Sequence, residues 1–250
     1  MINHDIRCGF APLRDFLSPA LSKNISTWHR RSRIAQRIAS KNFFRLLGSV
    51  NNIFQPKEKF FIKKGYHHSA SVIDFDDTSN TDEWQKEVYL LAKNILEEKN
   101  YKSVIDVGCG SAYKLINYLG SYKTIGIEVG DTFNWLKKNY PQHQWLSFEE
   151  TKSSSLQCDL VICSDVIEHI KNPDTLLDFI KAIDCKQIVL STPERNAVAG
   201  KNDYGPPENP AHFREWNDGE FKNYISKYFI IEDQRIFNDK SVTQIIICKK

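Results

Sequence analysis

The stretch Ser103-Val-Ile-Asp-Val-Gly-Cys-Gly-Ser-Ala112 constrains this chain more than any other. Val104, Ile105 and Val107 make a short apolar, β-branched run of the kind buried on both faces of a parallel sheet. Asp106 interrupts the run near its carboxyl end, where open α/β sheets bind ligands. Gly108 and Gly110 follow, and without a Cβ they permit a tight turn and close approach of a ligand to the backbone. From Ala112 to Leu119 the spacing predicts a helix with Leu115, Ile116 and Leu119 on one face.

A strand, a glycine turn and a helix can hold a dinucleotide, a nucleoside or a phosphate. The dinucleotide fingerprint needs a further glycine at position 113, where this chain has Tyr113, and the Gly-Lys-Ser/Thr of a phosphate-cradling loop is absent. What remains is Asp-x-Gly-x-Gly, followed by a second strand that ends Thr124-Ile-Gly-Ile-Glu128. A carboxylate at that strand end can accept both hydroxyls of a ribose; the plainer reading of Glu128 is an ordinary strand-end acid.

Joined to Cys158-Asp-Leu-Val-Ile-Cys-Ser-Asp-Val-Ile-Glu-His-Ile170, these segments resemble the first, second and fourth motifs of class I S-adenosylmethionine-dependent methyltransferases. The resemblance runs over about residues 82–250. It implies an α/β fold, a doubly wound, mostly parallel seven-stranded Rossmann-like sheet, with S-adenosyl-L-methionine as cofactor. It also implies cofactor contacts from Asp106, Gly108, Cys109, Gly110, Glu128, Val129 and Ser164, and from Trp84, Gln85 or Tyr89 on the helix before the glycine turn. One departure is Ala112, where the family often has a third glycine.

The net charge of +3 conceals a division. Residues 1–64 carry thirteen Lys/Arg against Asp5, Asp15 and Glu58, a balance of +10, which leaves −7 for the rest. Around Trp28–Leu47, Ile34, Ile38, Phe43 and Phe44 recur at helical spacing among arginines. A basic helical N-terminal extension of this kind can pack on the acidic domain, lie on an anionic membrane or dock to a protein partner. Nucleic acid is a weaker fit, and an acid-poor, Arg- and Ser-rich start also resembles a transit peptide, although no cleavage site is marked. No apolar run approaches the ~18 residues of a membrane span. The six cysteines form no Cys-x-x-Cys pair, so neither a disulfide framework nor structural zinc is expected, and the expected location is cytoplasmic, with residues 1–64 the part suited to a membrane surface.

Along the chain, residues 65–81 read as a polar connection, with His67-His68 facing substrate and holding no metal. Thr81 is expected to cap a helix through Glu98, and Asn172 one over 173–183. Further helices are expected at 112–120, 131–139 and 218–227. Strands are expected at 103–107, 124–128, near 143–146, 159–163, 187–190, 229–236 and 242–248.

Methyl transfer requires alignment of the acceptor and, for a hydroxyl, removal of its proton. His169, after the fourth strand, is either a general base or a loop-fixing histidine, and Asp165 either orients the acceptor or touches the cofactor. Residues 200–216 read as a long, ordered, proline- and aromatic-rich loop. In the family resemblance, His212 is a second base candidate and Arg214 a hold for an anionic or hydroxyl-rich acceptor; Tyr204 and Arg195 complete the substrate candidates. No metal ligand is expected. The function so read is O-methylation of a small or glycan-type acceptor, a surface-polysaccharide sugar being favoured. The alternatives are ubiquinone-type O-methylation at a membrane and a non-catalytic cofactor-binding scaffold; RNA methylation and nicotinamide-dependent reduction fit less well.

Overall fold

The fold is that of a computed structural model, which describes residues 59–73, 76–238 and 242–250. The basic helix expected over 28–47 lies outside them. Seven strands form one sheet: β1 (Ser103–Val107), β2 (Lys123–Glu128), β3 (Gln144–Ser147), β4 (Leu160–Ser164), β5 (Gln187–Pro193), β6 (Ile230–Asn238) and β7 (Val242–Lys249). Their order is β3-β2-β1-β4-β5-β7-β6. The first five pair in parallel, and β7 runs antiparallel between β5 and β6. This is the doubly wound α/β sheet that the motifs imply.

The helices are α1 (Lys86–Glu98), α2 (Tyr113–Leu119), α3 (Gly130–Asn139), α4 (Pro173–Ala182), α5 (Arg195–Ala199) and α6 (Asp218–Ile225). The strand pleat divides the core in two. Val104, Leu160, Ile162 and Val189 face α1 and α2, meeting Val88, Ala92, Leu96, Leu115 and Leu119. Ile105, Val107, Val161, Ile188 and Leu190 join Leu176, Leu177 and Ile180 of α4 and Phe221 and Tyr224 of α6 on the other face. Cys109, Cys158, Cys163 and Cys248 are buried free thiols and serve as small apolar residues.

Three expectations are corrected. The boundary expected at residue 64 falls inside the folded body. Phe60, Ile62 and Tyr66 are buried in the same core as Trp216, and the Trp216 indole donates to the Phe60 carbonyl at 2.9 Å. The helix expected from Thr81 begins at Lys86: Gln85 is its N-cap in the left-handed region (φ 64°), and the Thr81 hydroxyl turns to Glu83 at 2.8 Å instead. Asn172 holds the N-cap position of α4 with Pro173 at its first turn, yet its side chain makes no capping bond. The loop at 200–216 begins where it was expected, after a short helix that the sequence did not mark, α5 at 195–199, with Glu194 accepting from the Ala197 N–H.

Ala112 stands at φ 57°, in the left-handed region that glycine adopts most readily. Gly126, in β2, is required for a different reason. A methyl there would lie 2.5 Å from a ring carbon of Trp145 and 2.7 Å from Cys109 Sγ. Gly219, exposed in the first turn of α6, would place a methyl in ordinary contact with Asn217 Oδ1 at 3.7 Å. The same substitution should therefore act with opposite sign at the two sites. Gly126→Ala should lower unfolding free energy by about 2 kcal/mol through overpacking, and Gly219→Ala should raise it by ~0.5 kcal/mol through helix propensity and chain entropy. Denaturant unfolding of both variants checks this; equal effects would contradict the packing described.

Candidate active site

The strand order reverses between β1 and β4, because β2 lies on one side of β1 and β4 on the other. Crevices form at the carboxyl ends of such a pair, and the predicted residues gather there. Asp106 is fully buried on β1; the Tyr89 hydroxyl, brought over by α1, donates to its Oδ2 at 2.7 Å. Its Oδ1 has no hydrogen-bond partner among the described residues. Burial pushes the Asp106 carboxyl up to about 7, with the neighbouring Glu128 charge acting in the same direction and the Tyr89 bond against it.

The turn after β1 uses positive φ at Gly108 (78°) and Gly110 (55°). A methyl on Gly108 would strike Val166 at 2.4 Å, and one on Gly110 would lie 2.9 Å from an Asp77 carboxylate oxygen. Glu128, at the end of β2, accepts from the Gly110 N–H at 2.6 Å and from the Val129 N–H at 3.0 Å. Desolvation nonetheless raises its pKa. Each carboxylate oxygen still has a lone pair for a ribose hydroxyl. Cys109 lies buried beneath the turn, whereas Val129 and Trp84 are about half exposed at the rim. Residues 77–85 cross the turn: Ser111 donates to the Asn80 carbonyl, Lys114 Nζ to the Thr81 carbonyl at 2.8 Å, and Gln85 hydrogen-bonds Asp165.

A second group of polar side chains follows β4. Ser164 Oγ lies 2.9 Å from Ser191 Oγ, which donates to Asp165 Oδ1 at 2.6 Å; Asp165 itself holds φ 51°. Glu168, His169 and His212 each bring a polar atom to within 4.8 Å of the others. The His169 and His212 rings stand edge to face, 4.7 Å between centroids. His169 Nδ1 donates to the Ala211 carbonyl at 3.0 Å, and His212 Nδ1 to Glu215 Oε1 at 2.7 Å. Burial, with the neighbouring His212, lowers the His169 pKa to about 4, so the ring is neutral at physiological pH.

Two expected acceptor contacts are corrected. Arg195 is fully buried, its guanidinium held by Glu220 at 2.7 Å and the Glu215 carbonyl at 2.9 Å. Glu220 also closes a capping box with Asn217, so Arg195 braces α6 rather than binding substrate. Arg214 is 3% exposed; it donates to the Ile170 and Lys171 carbonyls at 2.6 and 2.8 Å and lies over the Phe60 ring. It ties the 168–171 loop to the core. Tyr204 is partly exposed beneath the Lys63 ammonium, and its carbonyl receives the His67 N–H at 2.7 Å. His68 sits against Arg214, so the 65–73 segment runs along residues 204–213. The sequence reading passed over Glu168, Tyr89 as the Asp106 partner, Lys114, and Asp77 beside Gly110. Only Glu168 carried a local signal, next to His169 at a strand end.

Because Asp106 is raised well above its value in an unfolded chain, the folded state holds its proton more tightly. That costs stability as pH rises from about 4 to about 7. Asp106→Asn keeps an acceptor for Tyr89 and removes the titration. The melting temperature of the variant relative to the parent should therefore be higher at pH 8 than at pH 5. A difference independent of pH would refute the buried, raised carboxyl.

Known proteins resemble this chain in sequence and fold. A family described as a methyltransferase domain matches residues 78–233. The tRNA U34 carboxymethyltransferase of Campylobacter jejuni is 29% identical over 117 residues, which are 43% of this chain and 40% of that protein. The chain thus spans about two fifths of the length of the curated relatives it matches. Among solved structures, an S-adenosylmethionine-dependent methyltransferase from Clostridium acetobutylicum superposes with a TM-score of 0.50 at 12% identity, covering 68% of this chain and 92% of its own. The plantazolicin methyltransferase, solved in complex with SAH, gives a TM-score of 0.50 at 12% identity, covering 66% and 82%. Both show the same fold. With the family matched over residues 78–233, across β1 to β5 and into β6, the chain belongs to the methyltransferase domain family.

Proposed function

We propose that this chain moves the methyl group of S-adenosyl-L-methionine onto a hydroxyl oxygen of a small or glycan-type acceptor. Membership of the family supports the methyl transfer, and the residues present fit the cofactor. The buried, unpartnered Asp106 Oδ1 is the observation that carries this, because such an atom is costly unless a ligand donor meets it. Gly108 and Gly110 turn the backbone tightly beside it against Val166 and Asp77, and Glu128 offers carboxylate oxygens for a ribose. When bound, the cofactor supplies an electrophilic methyl on a sulfonium; the chain's own residues bind it, exclude water and manage the acceptor's proton.

The acceptor half lies along the ends of β4 and β5. A hydroxyl acceptor must lose its proton as the bond forms. His169, unprotonated at physiological pH and beside His212, supports that role, while Asp165 on Ser191 can orient the acceptor. Tyr204, partly exposed, offers a ring face suited to a sugar. The basic residues 1–64 remain the part suited to an anionic membrane or an acidic partner.

Calorimetry should show that Asp106→Ala and Glu128→Ala each weaken S-adenosyl-L-methionine binding at least about tenfold; near-native affinity in both would refute the cofactor site. Incubation with methyl-labelled cofactor and fractionated cell extract should place alkali-stable label in a small-molecule or polysaccharide fraction. Label in RNA would instead favour a nucleic-acid acceptor, and cofactor binding without label anywhere would favour a scaffold. His212→Ala should lower turnover more than cofactor affinity; equal losses would assign it to folding.

A further inference from the structure

Glu168 is fully buried, yet only half of its carboxylate is satisfied. Thr192 Oγ1 donates to Oε2 at 3.0 Å, and Oε1 has no partner among the described residues. Asp165 and Glu215 add negative charge around it. An orphaned carboxyl oxygen in such a place is costly unless a proton or a cation meets it.

The two histidines beside it are set in one way. His169 Nδ1 faces a carbonyl, and His212 Nδ1 faces a carboxylate; neither acceptor can donate, so both rings carry their proton on Nδ1. Nε2 therefore bears a lone pair in each. At His212 it takes a hydrogen bond from Asn209 Nδ2 at 3.0 Å, whose orientation is fixed by the Ala211 N–H on Oδ1. A histidine anchored through one nitrogen on a carbonyl or carboxylate is how proteins hold a metal-ligating imidazole.

We propose that Glu168, His169 and His212 form a binding site for a divalent first-row transition cation at the carboxyl end of β4. The three residues present a polar atom apiece within 4.8 Å of one another; at bond lengths of about 2.0–2.2 Å one ion spans at most about 4.4 Å, so any pair at the wider end draws in slightly as the ion binds. Two imidazoles and one carboxylate suit zinc, manganese, iron or cobalt better than calcium or magnesium. Cation binding exchanges the Asn209 contact at His212 for a metal bond. Three protein ligands leave coordination positions open, so the ion can hold an acceptor hydroxyl and lower its pKa; with its Nε2 lone pair on the ion, His169 then acts through the metal and not as the base that takes the proton. That last role rests on the hydroxyl-acceptor reading above; the site itself does not. It also departs from the sequence expectation of no metal, which weighed the adjacent His67-His68 pair and not residues 168, 169 and 212 together.

The test uses the full chain, stripped with a chelator, dialysed and titrated with Co2+, followed by visible d–d absorption and by calorimetry. The parent should take up one equivalent saturably. Glu168→Gln, which retains an oxygen for Thr192, and His212→Asn should each lower Co2+ affinity at least about tenfold. No saturable uptake by the folded parent, or equal affinity in the parent and both folded variants, would overturn the site. The parent titration needs no variant to fold. S-adenosyl-L-methionine is titrated into the same stripped chain, so a failed cofactor titration counts against the methyl-transfer reading and a failed cobalt titration against this one.

Discussion

Everything functional in this chain follows from the parallel pairing of β1 with both β2 and β4. Asp106 pairs in register with Gly126 on one side and Ile162 on the other. Successive crossovers run outward from β1 in opposite directions, so the connections at the carboxyl ends part, as they do where such sheets form a crevice. Asp106, Glu128 and Ser164 end their strands on its rim, and the glycine turn lies across its floor. Were β1 at an edge, those three side chains would have no common cavity.

The rim is rich in buried acid. Asp106, Glu128, Asp165 and Glu168 are all pushed above the usual carboxylate range, and burial is the leading cause for each. Replacing such groups with apolar ones would commonly be neutral or stabilising for a fold, and clustered perturbed groups in a cleft mark a functional site. The fold tolerates them through specific donors: Tyr89 for Asp106, the Gly110 and Val129 amides for Glu128, Ser191 for Asp165 and Thr192 for Glu168. Among the described residues, two oxygens of these four acids are left over, Asp106 Oδ1 and Glu168 Oε1. One sits at the proposed cofactor end of the crevice and the other at the proposed acceptor end.

The sheet was legible because its evidence is local. β-branched runs bounded by glycine or acid mark β1, β2, β4 and β5, and the βα alternation implies parallel pairing. The roles of the arginines were not legible. In the sequence, Arg195 and Arg214 are charges near a strand end and in an aromatic loop, both plausible holds for an acceptor. Their true partners, Glu220 and the carbonyls of Ile170 and Lys171, lie 25 to 44 residues away and meet them only once α6 and the 168–171 loop are packed. The 59–66 segment misled for a similar reason. It is basic and follows a basic stretch, but Phe60, Ile62 and Tyr66 find a hydrophobic slot beside Trp216. Glu168 was hidden in the opposite sense, as one polar residue inside Val166-Ile-Glu-His-Ile170, where the apolar neighbours dominate the pattern.

The central claim is that one crevice, floored by Gly108 and Gly110 and walled by Asp106 and Glu128, grips a sulfonium nucleoside. A crystal structure of the full chain grown with S-adenosylhomocysteine tests it most directly. The account predicts ligand density in that crevice, with Glu128 on the ribose hydroxyls and a ligand donor meeting Asp106 Oδ1. Ligand bound elsewhere on the chain, with Asp106 Oδ1 still unpartnered, would contradict it.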